Sequence, residues 1–121
     1  MLPIGEHTVG MEVTEVGDKI TKVRLKGRLD TPGVDQIETR LVATLVPGGK
    51  SAIIDLSGVE FVASMAIRML ISLARGLRQR HAKLALYGMT SLVQETFESV
   101  TLSAIIPIAA DETQALHLVS S

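Results

Sequence analysis

The chain has no cysteine and no tryptophan, and only one tyrosine and two phenylalanines in 121 residues. Without thiols there is no disulfide, no thiolate nucleophile and no soft metal-ligand set, which fits a reducing, cytoplasmic setting. Without aromatic platforms there is little on which a base or a sugar could stack. Charge of one sign is also missing, since twelve Lys and Arg stand against thirteen Asp and Glu. That balance lacks the electrostatic footprint of direct nucleic-acid binding. No apolar run reaches the roughly 18 residues of a membrane span, so membrane insertion is not expected. The start, Met1-Leu-Pro-Ile-Gly-Glu-His7, has neither the basic nor the apolar region of a secretion signal. What is present, 46% hydrophobic and 21% charged residues, is the composition of one globular domain around a single core.

Motifs of cofactor and metal chemistry are absent as well. Gly48-Gly49-Lys50-Ser51 has the last letters of a phosphate-binding loop, but it precedes a strand instead of opening a helix. His7, His81 and His117 are scattered, with no second ligand at metal spacing. No Gly-x-Ser-x-Gly elbow surrounds any serine. These absences predict a protein with no cofactor, no metal and no catalytic residue.

The periodicity predicts nine elements. Residues 1–10 read as an N-terminal extension or edge segment, and 11–121 as the domain. Met11–Val16 and Ile20–Lys26 alternate around Gly17-Asp18 as a hairpin. Keeping Lys22, Arg24 and Lys26 outward opposite Ile20, Val23 and Leu25 requires a bulge between Ile20 and Val23. Gly27-Arg-Leu-Asp30 ends that strand. Asp30 or Thr31 can cap a helix with Pro32 in its first turn and Val34, Ile37, Leu41 and Leu45 inward. Ala52-Ile-Ile-Asp-Leu56 reads as a strand buried on both faces, and Ser57–Val62 as a connection to a helix from Ser64 to about Arg80. Lys83–Tyr87 is a further strand. Ser91-Leu-Val-Gln94 matches a capping box opening a helix through Val100. Ile105–Ile108 is a short edge strand because of Pro107, and Asp111–Gln114 caps a last helix. The order predicts an α/β fold: a mixed central sheet made of an N-terminal hairpin and parallel βα units, with four helices.

Chemistry concentrates around Ser64. At about 100° per residue, Ser64, Arg68, Ser72, Arg75 and Gln79 share one polar stripe under about 90° wide, opposite Ala66, Leu70, Leu73 and Leu77. Met65 and Met69 flank the stripe on one side, Ile67 and Ile71 on the other. Apolar shoulders beside a serine and an arginine make a docking surface. Ser64 itself can act as an N-cap, worth about 1 kcal/mol. It can also accept a phosphoryl group at the positive end of a helix, with Arg68 one turn on. Asp55 and Glu60 do not form an evident carboxylate pair. Asp55, at the end of the central strand, is expected to order the following loop together with Ser57.

Ile54-Asp-Leu-Ser-Gly-Val-Glu-Phe61 resembles the Asp-Leu-Ser-x-Val-x-Phe signature of the STAS domain family, in particular its anti-sigma factor antagonists. Gly27-Arg-Leu-Asp30 and the order of elements resemble that family too, over about Met11 to Ser121. In the family the signature leads into Asp-Ser-[Ser/Thr]-Gly, whose first serine is phosphorylated; Ser64 matches it, with Ala63 and Ala66 where Asp and Gly are usual. The resemblance implies a non-enzymatic regulatory module in a bacterial partner-switching pathway. Its partner would be an anti-sigma factor with serine kinase activity, its release would follow phosphorylation of Ser64, and a phosphatase could reverse that step. Asp30, Ser64, Met65, Arg68, Met69, Ile71 and Ser72 are the expected partner-binding residues. Two alternatives use the same region: a STAS subunit docked without phosphorylation on a transporter or other complex, and a small-ligand or nucleotide sensor at the carboxyl ends of the strands.

Overall fold

The computed structural model describes residues 9–120. Most of the N-terminal segment, His7 included, therefore lies outside the described residues. The elements run β1 (Gly10–Val16), β2 (Ile20–Leu29), α1 (Thr31–Leu45), β3 (Ser51–Val62), α2 (Ser64–Gln79), β4 (Leu84–Tyr87), α3 (Ser91–Ser99), β5 (Ile108–Ala109) and α4 (Glu112–Ser120). This is the expected mixed α/β order, with one 3₁₀ turn at Leu102–Ala104 added before β5. The five strands lie side by side in chain order. β1 pairs antiparallel with β2, and every later pairing is parallel.

Alternation along the central strands sorts the helices into two layers. Ala52, Ile54 and Leu56 of β3, with Val23 and Leu25 of β2 and Leu84 and Leu86 of β4, point to one face. There they pack against Ile37 and Leu41 of α1, Leu70 and Leu73 of α2, and Val93 and Phe97 of α3. Ile53, Ala85, Tyr87 and Ala109 point to the other face and meet Ala115 and Val119 of α4. Each large side chain moved out of water in this way contributes about 1.5–3 kcal/mol before chain entropy is set against it.

Four local expectations change. The ladder between β2 and β3 is regular from Ile20↔Ser51 to Arg24↔Asp55, so no bulge separates Ile20 from Val23. Thr21 takes the inward position instead, buried beside Val23 and Leu25, and Ile20 packs on the α4 side. The irregularities come later, between Arg24 and Lys26 and between Gly27 and Arg28. At each step β3 advances one residue more than β2, so the extra residues belong to β3.

Those bulges explain why Ser57–Val62 is strand and not connection: β3 runs on to Val62 beside a β2 that reaches Leu29. Gly58 is needed there, because a Cβ would sit 2.9 Å from Lys26 Cγ and 3.1 Å from the Leu25 carbonyl oxygen. The cap of α3 is Thr90, whose side chain accepts the Val93 N–H, so Ser91 is already helical. Finally, β5 begins after Pro107, not before it. The Pro107 carbonyl accepts the Leu86 N–H at 3.0 Å, which uses the polar group proline keeps and spares the donor it lacks.

Candidate docking site

β2 and β3 are parallel, so both deliver the chain to the same end of the sheet, where α1 and α2 begin. The Leu29 carbonyl accepts the Ala63 N–H at 2.9 Å, which ties the two exits together. Asp30 is the N-cap of α1, its Oδ1 accepting the Gly33 N–H at 2.9 Å. Glycine is required at position 33, since a Cβ would lie 2.1 Å from the Arg28 carbonyl oxygen. The Arg28 guanidinium lies 4.6 Å from the Phe61 ring centroid, and its Nε is 3.5 Å from Asp30 Oδ2. Arg28 and Phe61 thus join Asp30 at this end. Pattern reading passed over them because the bulges that set Phe61 opposite Arg28 leave no periodic signal.

Ala63, not Ser64, occupies the cap of α2, with φ −92° and ψ 170°, and no side chain caps the helix. Ser64 is the first helical residue. The cause is the Ala63–Leu29 hydrogen bond, which holds residue 63 in extended pairing and starts the helix immediately after it. Alanine has no oxygen to offer the first-turn N–H groups, and the Ser64 hydroxyl stands exposed beside them.

Down the helix, Arg68, Ser72, Arg75 and Gln79 are exposed with Ser64 as one stripe. Met65 flanks it and is 38% exposed. Met69, expected on the same shoulder, is only 1% exposed and belongs to the core. It sits about 40° nearer the centre of the buried side than Met65 does, enough to draw it under the sheet-facing edge. Ile67 and Ile71, on the opposite shoulder, are partly buried against the core. The surface open to a partner is therefore Ser64, Met65, Arg68 and Ser72, with the edges of Ile67 and Ile71.

Asp55 faces the other way, toward the α4 side of the sheet. Its Oδ1 accepts the Ser57 N–H at 2.9 Å, and its Oδ2 lies 3.2 Å from Arg24 Nε. The first bulge lies between these residues, so the carboxylate takes up a donor displaced from the regular ladder. Burial opposes ionisation of Asp55, but the Ser57 and Arg24 contacts outweigh it and hold the carboxyl below its ordinary value. Beside it, burial and then the charges of Asp55 and Glu112 push the Tyr87 phenol up. Tyr87 stays a donor, to Glu112 Oε1 at 3.3 Å, and Lys22 Nζ binds the same oxygen at 2.8 Å. Glu60 is exposed and takes no part. Among the described residues no three His, Cys, Asp or Glu side chains gather to hold a metal, and no helix is long and apolar enough to cross a membrane.

The STAS domain family matches residues 12–115. The chain belongs to that family. Two relatives with related names align with most of this STAS domain. BtrV of Bordetella bronchiseptica, which carries the name of an anti-sigma factor antagonist, is 28% identical over 85 residues, covering 70% of this chain and 73% of BtrV. An anti-sigma-B factor antagonist of Listeria monocytogenes is 26% identical over 100 residues, covering 83% of this chain and 88% of its own length. The fold also matches a crystal structure of an anti-sigma factor antagonist from Mycobacterium paratuberculosis. That match has a TM-score of 0.82 at 20% identity, and covers 93% of this chain and 95% of that one.

Proposed function

We propose that this STAS domain is an anti-sigma factor antagonist that binds a kinase-type anti-sigma factor through the exposed stripe of α2 and is released when Ser64 is phosphorylated. The observation that carries the reading is the uncapped start of α2. An exposed serine at the first helical position has helix N–H groups around it that no side chain has claimed, and Arg68 lies one turn below. A phosphoryl group there finds donors, the positive end of the helix and a guanidinium, so the fold tolerates it. A partner seated on Met65 does not, because it would have to desolvate nearly two negative charges. The relatives' names point to an anti-sigma factor as the partner, and no step of this role asks the domain for catalysis.

The test uses the cognate serine-kinase anti-sigma factor, ATP and the intact chain. A single phosphoryl group mapped to Ser64, its absence in Ser64→Ala, and loss of the complex for Ser64→Glu are the expected results. Phosphate on another residue, or wild-type binding by Ser64→Glu, would sink the switch.

A further inference from the structure

The cations of this domain fall into two sets. Lys22, Arg24, Lys26 and Arg28 of β2, and Lys50 just before β3, each face a carboxylate in an ion pair. The second set belongs to α2. From Phe61 to Gln94 the sequence contains no Asp or Glu, so α2 carries its arginines without an acid of its own. Arg68 and Arg75 are exposed on the stripe that runs down from Ser64, and neither has a carboxylate partner among the described residues. The other two arginines have structural uses. Arg78 stands in the last turn of α2, where the carbonyl end of the helix suits a cation, and Arg80 Nη2 donates to the Pro47 carbonyl at 2.7 Å. No such use accounts for Arg68 or Arg75.

Their spacing adds a second observation. Seven residues are almost two turns, so Arg68 and Arg75 leave the helix within about 20° of each other and roughly 10 Å apart along its axis. Between and beside them stand Ser64, Ser72 and Gln79, all able to donate hydrogen bonds and none a carboxylate. The fold supplies this row no counter-charge, whereas a partner seated on the stripe can.

We propose, resting on the reading of α2 as the docking site, that the partner's contact surface is acidic: one Asp or Glu pairs with Arg68 and a second, about 10 Å away, pairs with Arg75. Met65 and the exposed edge of Ile71 flank these pairs and pack on apolar groups of the same surface. Interleaved charged and apolar groups suit a folded protein surface. A nucleic acid or an anionic membrane would instead meet a chain of net charge −1 whose surplus acid lies outside Phe61 to Gln94. The same geometry gives phosphorylation a second effect. A phosphoryl group on Ser64, one turn from Arg68, takes that guanidinium for itself, so the partner's carboxylate loses its counter-charge and meets a dianion.

Titration calorimetry of the intact chain with the cognate serine-kinase anti-sigma factor tests this. Affinity should fall about tenfold or more between about 50 mM and about 300 mM salt. Arg75 lies about 16 Å along the helix from Ser64, clear of the phosphate. Arg75→Glu should weaken the complex about 30-fold or more at the lower salt, less at the higher, with little change in melting. Arg75→Lys keeps the charge and should stay within about threefold of the parent. Treated with a carbodiimide, the Arg75→Lys variant should become joined by an amide bond to an Asp or Glu of the partner, mapped by mass spectrometry. Affinity independent of salt, or Arg75→Glu binding like the parent, overturns the acidic partner and leaves the docking site in place. No complex with the parent chain at either salt overturns the docking reading and the acidic partner with it. Phosphatidylglycerol vesicles or a single-stranded DNA oligonucleotide bound more tightly than the anti-sigma factor, and released by Arg75→Glu, would assign the stripe to a polyanion and overturn the proposal.

Discussion

On one side of α2, Ala66, Met69, Leu70, Leu73 and Leu77 are buried; on the other, Ser64, Met65, Arg68, Ser72 and Arg75 lie in water. Both sides come from one sixteen-residue segment, yet only the first is tied to the fold. The exposed side makes no ion pair among those found in the described residues, and Ala63 leaves the helix start beside its serine uncapped. A surface free of structural duty can change charge without unfolding the domain, which is what a reversible docking site needs.

The largest effect that would break this contrast is on the buried side. Leu70 is fully buried, and Leu70→Ala should cost about 2–5 kcal/mol, from lost transfer energy and the cavity left behind. Denaturant unfolding should show this as a lower midpoint with little change in slope. If the contrast holds, partner affinity of the fraction still folded is unchanged.

Next in size is Ser64→Glu. Its expected cost is to binding alone, about 100-fold or more in the dissociation constant of the partner complex, equivalent to roughly 3 kcal/mol. Its melting temperature should stay at or slightly above that of the parent, because a carboxylate in the first turn suits the helix dipole. Titration calorimetry and a thermal melt on the same sample separate the two sides of the helix.

The third prediction concerns the opposite face of the sheet. The Asp55 carboxyl is held below its ordinary value by Ser57 and Arg24, so it releases its proton more easily folded than unfolded. Its contribution is therefore complete above the unfolded value near pH 4 and disappears as pH falls through the lower folded value. Asp55→Asn should cost about 1–3 kcal/mol at pH 7. The gap between the two proteins should close as unfolding is measured at successively lower pH. A gap independent of pH would mean that the side chain's shape, not its charge, supports the bulge.

Much of this was legible in the residues. Period-two runs marked the strands, and the spacing of Val34, Ile37, Leu41 and Leu45 marked the inner side of α1, because burial on one side leaves a periodic trace. The stripe from Ser64 to Gln79 was legible for the same reason. What escaped depends on contacts distant in sequence. The continuation of β3 through Ser57–Val62 needs β2 beside it, and polar Ser57, Gly58 and Glu60 read locally as a turn. The cap at Ala63 follows from a bond to Leu29, which no local rule contains. Met69 shows the resolution of helical arithmetic, where about 40° decides between core and surface.

The smallest effect sharpens the contrast at the boundary between the two sides. Ala63 has the extended backbone of an N-cap and no side chain to use it, so Ala63→Asp should place a carboxylate oxygen on the first-turn N–H groups and stabilise the domain by about 1 kcal/mol. For a domain of this size that is a rise of a few degrees in melting temperature. The same carboxylate would then occupy donors that a phosphoryl group on Ser64 would use, and would repel that group. Phosphorylation of the capped variant should therefore lower its melting temperature, whereas phosphorylation of the parent leaves it unchanged or raises it. If both proteins respond alike, the uncapped N–H groups are not what receives the phosphate, and the tolerance of α2 for charge at Ser64 must come from Arg68 alone.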